Sequence, residues 1–143
     1  MNAFYQLIWA FLGTFAFCLY FNLKNERLFI ASLMGLGTWA IYLFVMELTG
    51  NVFVSSFLAT FIMGVVSEVL ARVYKTPSMV FYIPSIIPII PGGSLYYLMQ
   101  AVVQSDRVQM SYYAYMLIWT ILGMGVGVSL IQVIMTVRKN IRG

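Results

Sequence analysis

The sequence is poor in charged residues, and this scarcity bounds the class of protein before any motif is considered. Eight Lys and Arg and four Asp and Glu make up 8% of its 143 residues, against roughly 25% in an ordinary soluble domain. Hydrophobic residues make up 62%, where soluble domains have roughly 45–50%. Twelve charges are too few to cover a water-exposed surface, and disorder requires low hydrophobicity. The composition therefore predicts an integral membrane protein.

Catalytic and metal-binding groups are equally scarce. Histidine is absent and Cys18 is the single cysteine, which removes the commonest metal ligand and any Cys–His pair. The acids are scattered singly along the chain, at Glu26, Glu47, Glu68 and Asp106. We therefore expect no enzymatic activity, no metal site and no cofactor. The net charge of +4 does not indicate a nucleic-acid partner, because the basic residues mostly lie between apolar runs, where they set topology.

Five uncharged runs alternate with these charges. They cover residues 3–23, 28–46, 52–67 (continuing as helix past Glu68 and Arg72), 79–105 and 108–137. A transmembrane helix needs about 20 predominantly apolar residues to cross roughly 30 Å of hydrocarbon. The pattern therefore predicts an all-α integral membrane protein with about five transmembrane helices, forming a single transmembrane domain over residues 1–143.

Lys and Arg are distributed unequally between the two sides of these spans. One side receives Lys24, Arg27, Arg72, Lys75, Arg138, Lys139 and Arg142, and the other receives only Arg107. Because cytoplasmic loops carry the excess of basic residues, we predict an N-terminus outside and a C-terminus in the cytoplasm, in the cell membrane. If the chain belongs to an assembly with inverted symmetry, another polypeptide must supply the inverted half.

Small residues recur within three of the spans. They are Ala31, Gly35 and Thr38 in the second, Ser56, Thr60, Gly64 and Ser67 in the third, and Gly123 and Gly127 in the fifth. In lipid, small residues let helix backbones approach closely. The favoured interpretation is helix packing, within the chain or between subunits. A polar translocation path along the Ser56–Ser67 face is the alternative.

The fourth span is unusually rich in helix breakers. Pro84, Pro88 and Pro91 fall within eight residues and are followed by Gly92 and Gly93. Each proline removes a backbone donor and costs about 3 kcal/mol in a helix interior. We therefore predict that the fourth helix is broken at intermediate membrane depth, which frees backbone carbonyls. A second helix would then resume with Gly93 or Ser94 as its cap.

The amides of that second helix would point into the membrane interior, an arrangement suited to a carboxylate. The candidate substrate-binding residues are Pro84, Ser85, Pro88, Pro91, Gly92, Gly93 and Ser94. The alternative is a proline-kinked structural helix, which membranes tolerate.

Glu68 and Arg72 form the second candidate site. They are four residues apart, so they face each other on one helix. Glu68 lies about 24 Å along the third helix at 1.5 Å per residue, and an acid at that depth is costly and a functional candidate. We expect it to couple proton movement or to gate the cytoplasmic side. The alternative is an interfacial ion pair.

Residues 72–106 resemble the threonine/serine exporter family. The segment reads RVYKTPSMVFYIPSIIPIIPGGSLYYLMQAVVQSD, and the resemblance is carried by its basic start, Pro77 and the pattern P-x-x-x-P-x-x-P-G from Pro84 to Gly92. It is most similar to the small subunit of the split, two-chain members. Family members often carry a basic residue soon after the Pro-Gly, where this chain has Tyr96 and Tyr97.

The resemblance implies a secondary exporter of small carboxylate-bearing metabolites, either threonine/serine-type amino acids or small dicarboxylates. It also implies an obligatory larger membrane subunit of the same family. The sequence contains no GxxxxGK[ST] motif for ATP, so the energy must come from a gradient or another chain. The alternative function is a non-transporting membrane scaffold or assembly subunit. An ion channel is disfavoured because no charged or polar filter is present.

Overall fold

The computed structural model of the chain describes residues 2–23 and 25–142, with the backbone alone at residues 25, 139, 141 and 142. The described chain is helical throughout and contains no strand. Its elements are α1 (Ala3–Tyr20), α2 (Asn25–Thr49), α3 (Val52–Val73), α4 (Met79–Ile86), a 3-10 helix (Ile87–Ile89), α5 (Gly92–Val103) and α6 (Arg107–Arg142). Among the described residues, five spans are long and apolar enough to cross a membrane, with Met79–Val103 counted as one. The predicted all-α membrane fold is confirmed.

The helix boundaries differ from those of the uncharged runs. α2 begins at Asn25 and ends at Thr49, so it extends beyond the run 28–46 at both ends, and α6 is likewise longer than 108–137. Charged residues are excluded from the hydrocarbon but not from a helix, so the uncharged runs define only the central part of each helix. α1 is shorter than its run because Asn22, at φ +56°, ends it.

The helix ends follow recurring local rules. After α1, α3 and α5 one residue adopts a left-handed φ between +49° and +57°; these residues are Asn22, Lys75 and Ser105. In each case the next amide donates to the carbonyl five residues earlier at 3.0 Å, which satisfies a carbonyl that the helix leaves free. The Asn51 side chain caps α3, because its Oδ1 accepts hydrogen bonds from the amides of Phe53 and Val54 at 3.0 and 3.3 Å. Short turns therefore join the spans.

The packing order of the helices positions the fourth span. α2 packs against α1, α3 and α4, while α6 packs against α3 and α5. The first half of the fourth span, α4, therefore lies against α1, α2 and α3. Its second half, α5, lies against α6. The irregular segment between them, residues 87–91, is where the chain passes from one set of neighbouring helices to the other.

The predicted stripes of small residues pack inside the chain. A Cβ added at Gly123 of α6 would lie 2.6 Å from the Phe53 carbonyl oxygen and 3.0 Å from the Cβ of Ser56. One added at Gly64 of α3 would lie 2.7 Å from Cγ1 of Ile131. Ser56 is fully buried. α3 and α6 thus approach through these residues, as the packing interpretation predicts.

Candidate functional site

The fourth span changes backbone conformation at its centre. α4 ends at Ile86, the 3-10 helix occupies Ile87–Ile89, and Ile90 is extended with ψ 120°. α5 begins at Gly92 with Pro91 as its N-cap. The prediction of a cap at Gly93 or Ser94 was therefore wrong by two or three residues. The reason is that the Pro91 carbonyl already accepts from an α5 amide, that of Leu95, at 3.0 Å.

Two of the carbonyls that the prolines leave without a donor are satisfied locally. Pro88 has no N–H to donate to the Pro84 carbonyl, and the Ile87 N–H donates there instead. Pro91 likewise has no N–H to donate to the Ile87 carbonyl, and this carbonyl accepts a hydrogen bond from the Ile90 N–H at 3.1 Å instead. These tighter, 3-10-type bonds satisfy both groups. The expectation of free carbonyls is not met at these two positions.

The amides at the start of α5 are a different case. The Gly92 N–H donates to the Ile90 carbonyl at 2.7 Å, but within the described chain neither the Gly93 nor the Ser94 N–H donates a backbone hydrogen bond. Both glycines are exposed, and a Cβ added at either would meet nothing within 4 Å. These two amides lie roughly half-way along the 25-residue span Met79–Val103, where an unsatisfied polar group in lipid costs several kcal/mol.

The other predicted substrate-binding residues lie apart from these amides. Ser85 is fully buried and its Oγ donates to the Tyr82 carbonyl at 2.7 Å, so this hydroxyl is already satisfied by its own helix. Pro84 borders a pocket beside the end of α1. Pro88 borders another, with Gln6 and Trp39.

Pro91 and Gly92 border a third pocket, which faces α6. Its volume is about 340 Å³, and its remaining lining is apolar: Ile90, Leu95, Leu117, Ile121 and Met124. Within the described residues, Pro84, Pro88 and Pro91 therefore border three separate pockets. The segment from Pro91 to Ser94, beside α6, is the part of the set that stays together.

Glu68 and Arg72 form an ion pair on α3. The Arg72 Nη2 and Glu68 Oε2 atoms are 3.8 Å apart, with 47% of the Arg72 side chain and 22% of the Glu68 side chain exposed. α3 meets α4 at Thr60, whose carbonyl accepts from the Tyr82 hydroxyl at 3.4 Å. Glu68 lies eight residues further along α3, or about 12 Å at 1.5 Å per residue. The pair lies on α3, whereas the Gly93 and Ser94 amides lie on α5, which packs against α6.

One polar contact near the fourth span was missed by the sequence analysis. Trp39 Nε1 of α2 donates to Gln6 Oε1 of α1 at 3.2 Å, and both side chains border the Pro88 pocket. The available signal was an amide side chain within an apolar run, since polar groups inside a membrane span need partners. This bond ties α1 and α2 together beside the irregular segment.

These features define a multi-pass helical protein of the cell membrane, whose fourth span has an irregular centre. The family described as Threonine/Serine exporter, ThrE, matches residues 6–134, which is most of the chain. The chain therefore belongs to the threonine/serine exporter family, a family of membrane transporters, and it contacts the lipid bilayer. Comparison with curated proteins and with solved structures gave no match.

Proposed function

We propose that this chain is the small membrane subunit of a two-component secondary exporter of small carboxylate-bearing metabolites. The substrates are threonine/serine-type amino acids or small dicarboxylates, and a larger membrane subunit of the same family completes the transporter. Family membership supplies the exporter class. The binding of a carboxylate and the need for a second subunit are supported by the amides of Gly93 and Ser94, which donate no backbone hydrogen bond within the described residues.

These amides suit a carboxylate for an electrostatic reason. They lie at the N-terminal end of α5, a helix of 12 residues, where the helix dipole places partial positive charge. A carboxylate accepting from such amides forms charge-assisted hydrogen bonds, which contribute about 1.5–3 kcal/mol each. Transporters use broken helices in this way to hold anionic groups near the membrane centre.

A second chain is proposed because, within the described residues, no backbone group of this chain accepts a hydrogen bond from the Gly93 or Ser94 amide. Gly92 and Gly93 are exposed, and the neighbouring 340 Å³ pocket is apolar apart from backbone. Lipid cannot satisfy a backbone N–H, so a protein surface with room for substrate must cover this side of α5. We assign that surface to the larger subunit. Glu68 and Arg72, on α3, would then act in coupling or gating and not in direct binding.

A substitution at Gly93 tests the proposal. Gly93→Val places a branched side chain beside the amides, and nothing within 4 Å of the Cβ position opposes it. We expect export of labelled threonine, serine and a four-carbon dicarboxylate to fall at least about tenfold, the loss of one charge-assisted bond, in cells that express both subunits. Membrane abundance and subunit co-purification should stay unchanged.

Gly13→Val is the matched control, because Gly13 of α1 is also exposed and a Cβ there also meets nothing within 4 Å. It should export at the wild-type rate. Wild-type export by Gly93→Val would refute the anion site. The scaffold alternative is tested by measuring efflux from cells that express this chain, the larger subunit or both. A scaffold would be dispensable once the larger subunit is stable by itself.

A further inference from the structure

An apolar groove lies between the end of α1 and α4, on the side of the bundle that carries Arg27, Arg72 and Lys75. Its volume is about 270 Å³, and it is lined by Phe21, Leu23, Met79, Val80, Ile83 and Pro84. None of these side chains is polar. The groove is therefore suited to a hydrocarbon chain and not to a charged solute.

The groove opens to the outside of the helix bundle. Phe21 is 49%, Met79 51% and Ile83 46% exposed. Behind them Leu23 packs against a buried cluster that includes Cys18 and Phe81, which closes the inner side. An occupant must therefore enter from the surrounding membrane.

Two cations lie close along the chain to residues that line the groove. Lys75 precedes Met79 by four residues, Arg27 follows Leu23 by four, and both are exposed. In the described part of the chain neither forms an ion pair with a carboxylate, although Glu26 is the sequence neighbour of Arg27. Basic residues beside anionic lipid contribute attraction that falls off within a Debye length. An apolar groove with cations nearby along the chain matches the two parts of an anionic phospholipid, the acyl chain and the charged headgroup.

The backbone at Lys75 supports a role for its side chain. Lys75 has φ +49°, a left-handed conformation that is unfavourable for residues with a Cβ and free of that penalty for glycine. The equivalent positions after α1 and α5 hold Asn22 and Ser105, which are short polar residues. Lys75 thus places a long cationic side chain at a position where the backbone alone would favour glycine.

We propose that this groove binds one acyl chain of an anionic glycerophospholipid, whose phosphate contacts Lys75 and Arg27. The site is separate from the α5 amides and does not depend on which substrate is exported. Because its walls come from the end of α1 and from α4, a bound lipid links α1 to the half-helix that precedes the irregular segment.

The test measures the thermal unfolding midpoint of the detergent-purified full chain with increasing phosphatidylglycerol, or with phosphatidylcholine of the same acyl chains. We expect phosphatidylglycerol to raise the midpoint more. Lys75→Gly should weaken the apparent affinity for phosphatidylglycerol about fivefold, as expected for one basic residue at an anionic lipid. Without lipid this variant should be at least as stable as the wild type, because the left-handed residue is then glycine.

Ile83→Trp fills the groove and should abolish the preference for phosphatidylglycerol, while Arg107→Gln, at the other end of the bundle, should keep it. Equal responses to the two lipids, or a full response of Ile83→Trp, would overturn the proposal. So would an equal effect of inorganic phosphate alone, since it would show that no acyl chain is required.

Discussion

The contact between α3 and α6 offers the most direct test of the fold. Gly123 is buried in α6, and a methyl group added there would lie 2.6 Å from the Phe53 carbonyl oxygen, 3.0 Å from the Ser56 Cβ and 3.2 Å from the Phe57 amide nitrogen. Two of these three atoms belong to the α3 backbone, so no side-chain rotation relieves the overlap. Gly123→Ala must therefore move the helices apart.

The magnitude follows from these distances. Ordinary non-bonded contacts are about 3.5–4.0 Å, so α3 and α6 must separate by roughly 1 Å, and a gap of that size loses about a quarter to a half of each contact energy along the seam. Overpacking of this kind costs about 1–3 kcal/mol. Gly125→Ala is the matched control on the same helix, because a Cβ there meets nothing within 4 Å. Both variants gain the same helix propensity. The difference between their free energies of unfolding therefore measures the cost of the steric overlap at Gly123.

The assay is equilibrium unfolding of the purified chain in mixed micelles of a mild detergent and dodecyl sulfate, followed by circular dichroism. We expect Gly123→Ala to be about 1–3 kcal/mol less stable than Gly125→Ala, a change of roughly 5- to 150-fold in the folded-to-unfolded ratio. Equal stability of the two variants would refute the close approach of α3 and α6 at Gly123.

Two further predictions concern single side chains. Asp106 caps α6, because its Oδ1 accepts hydrogen bonds from the amides of Val108 and Gln109 at 3.0 and 3.1 Å. Asp106→Ala should therefore lower the free energy of unfolding by about 1 kcal/mol, and Asp106→Asn should lower it by less. Equal losses for the two variants in the same unfolding assay would contradict the cap. Glu68→Gln should change stability by no more than about 0.5 kcal/mol, because the pair with Arg72 is a partly exposed i,i+4 contact. It should nevertheless slow gradient-driven export of labelled substrate while substrate exchange continues. Unchanged export would remove Glu68 from the coupling or gating role.

Several elements of the fold were predictable from local sequence. The uncharged runs gave the number of spans, because charge is excluded from hydrocarbon whatever the helices pack against. The cluster from Pro84 to Gly93 predicted where the fourth span is irregular. Each proline lacks an N–H and so removes a helix hydrogen bond to a carbonyl only four residues earlier. The Asp106 cap also had a local signal, Gln109 three residues later, whose side-chain amide donates to the same carboxylate at 3.0 Å. The orientation of the spans stays a prediction.

The arrangement of the candidate site was not predictable in this way. Ser85 and Gly93 belong to one predicted substrate-binding set, yet Ser85 is buried and its hydroxyl donates to a carbonyl of its own helix, while Gly93 is exposed on α5, which packs against α6. Adjacency along the chain does not fix which face of a helix is covered, since that depends on neighbours far away in sequence. The same reason explains why the contact between Trp39 and Gln6, 33 residues apart, was missed.

The sequence by itself determined that this chain is a five-span membrane protein with breakers in its fourth span, because hydrophobic length and proline geometry act over a few neighbouring residues. Only the tertiary structure decided that α4 packs against α1, α2 and α3 while α5 packs against α6. It also decided that, within the part of the chain that the structure describes, the amides of Gly93 and Ser94 have no backbone hydrogen-bond partner, whereas the carbonyls of Pro84 and Ile87 each have one. Those outcomes depend on how distant helices cross and on which backbone groups a 3-10 turn can satisfy, and neither follows from local composition.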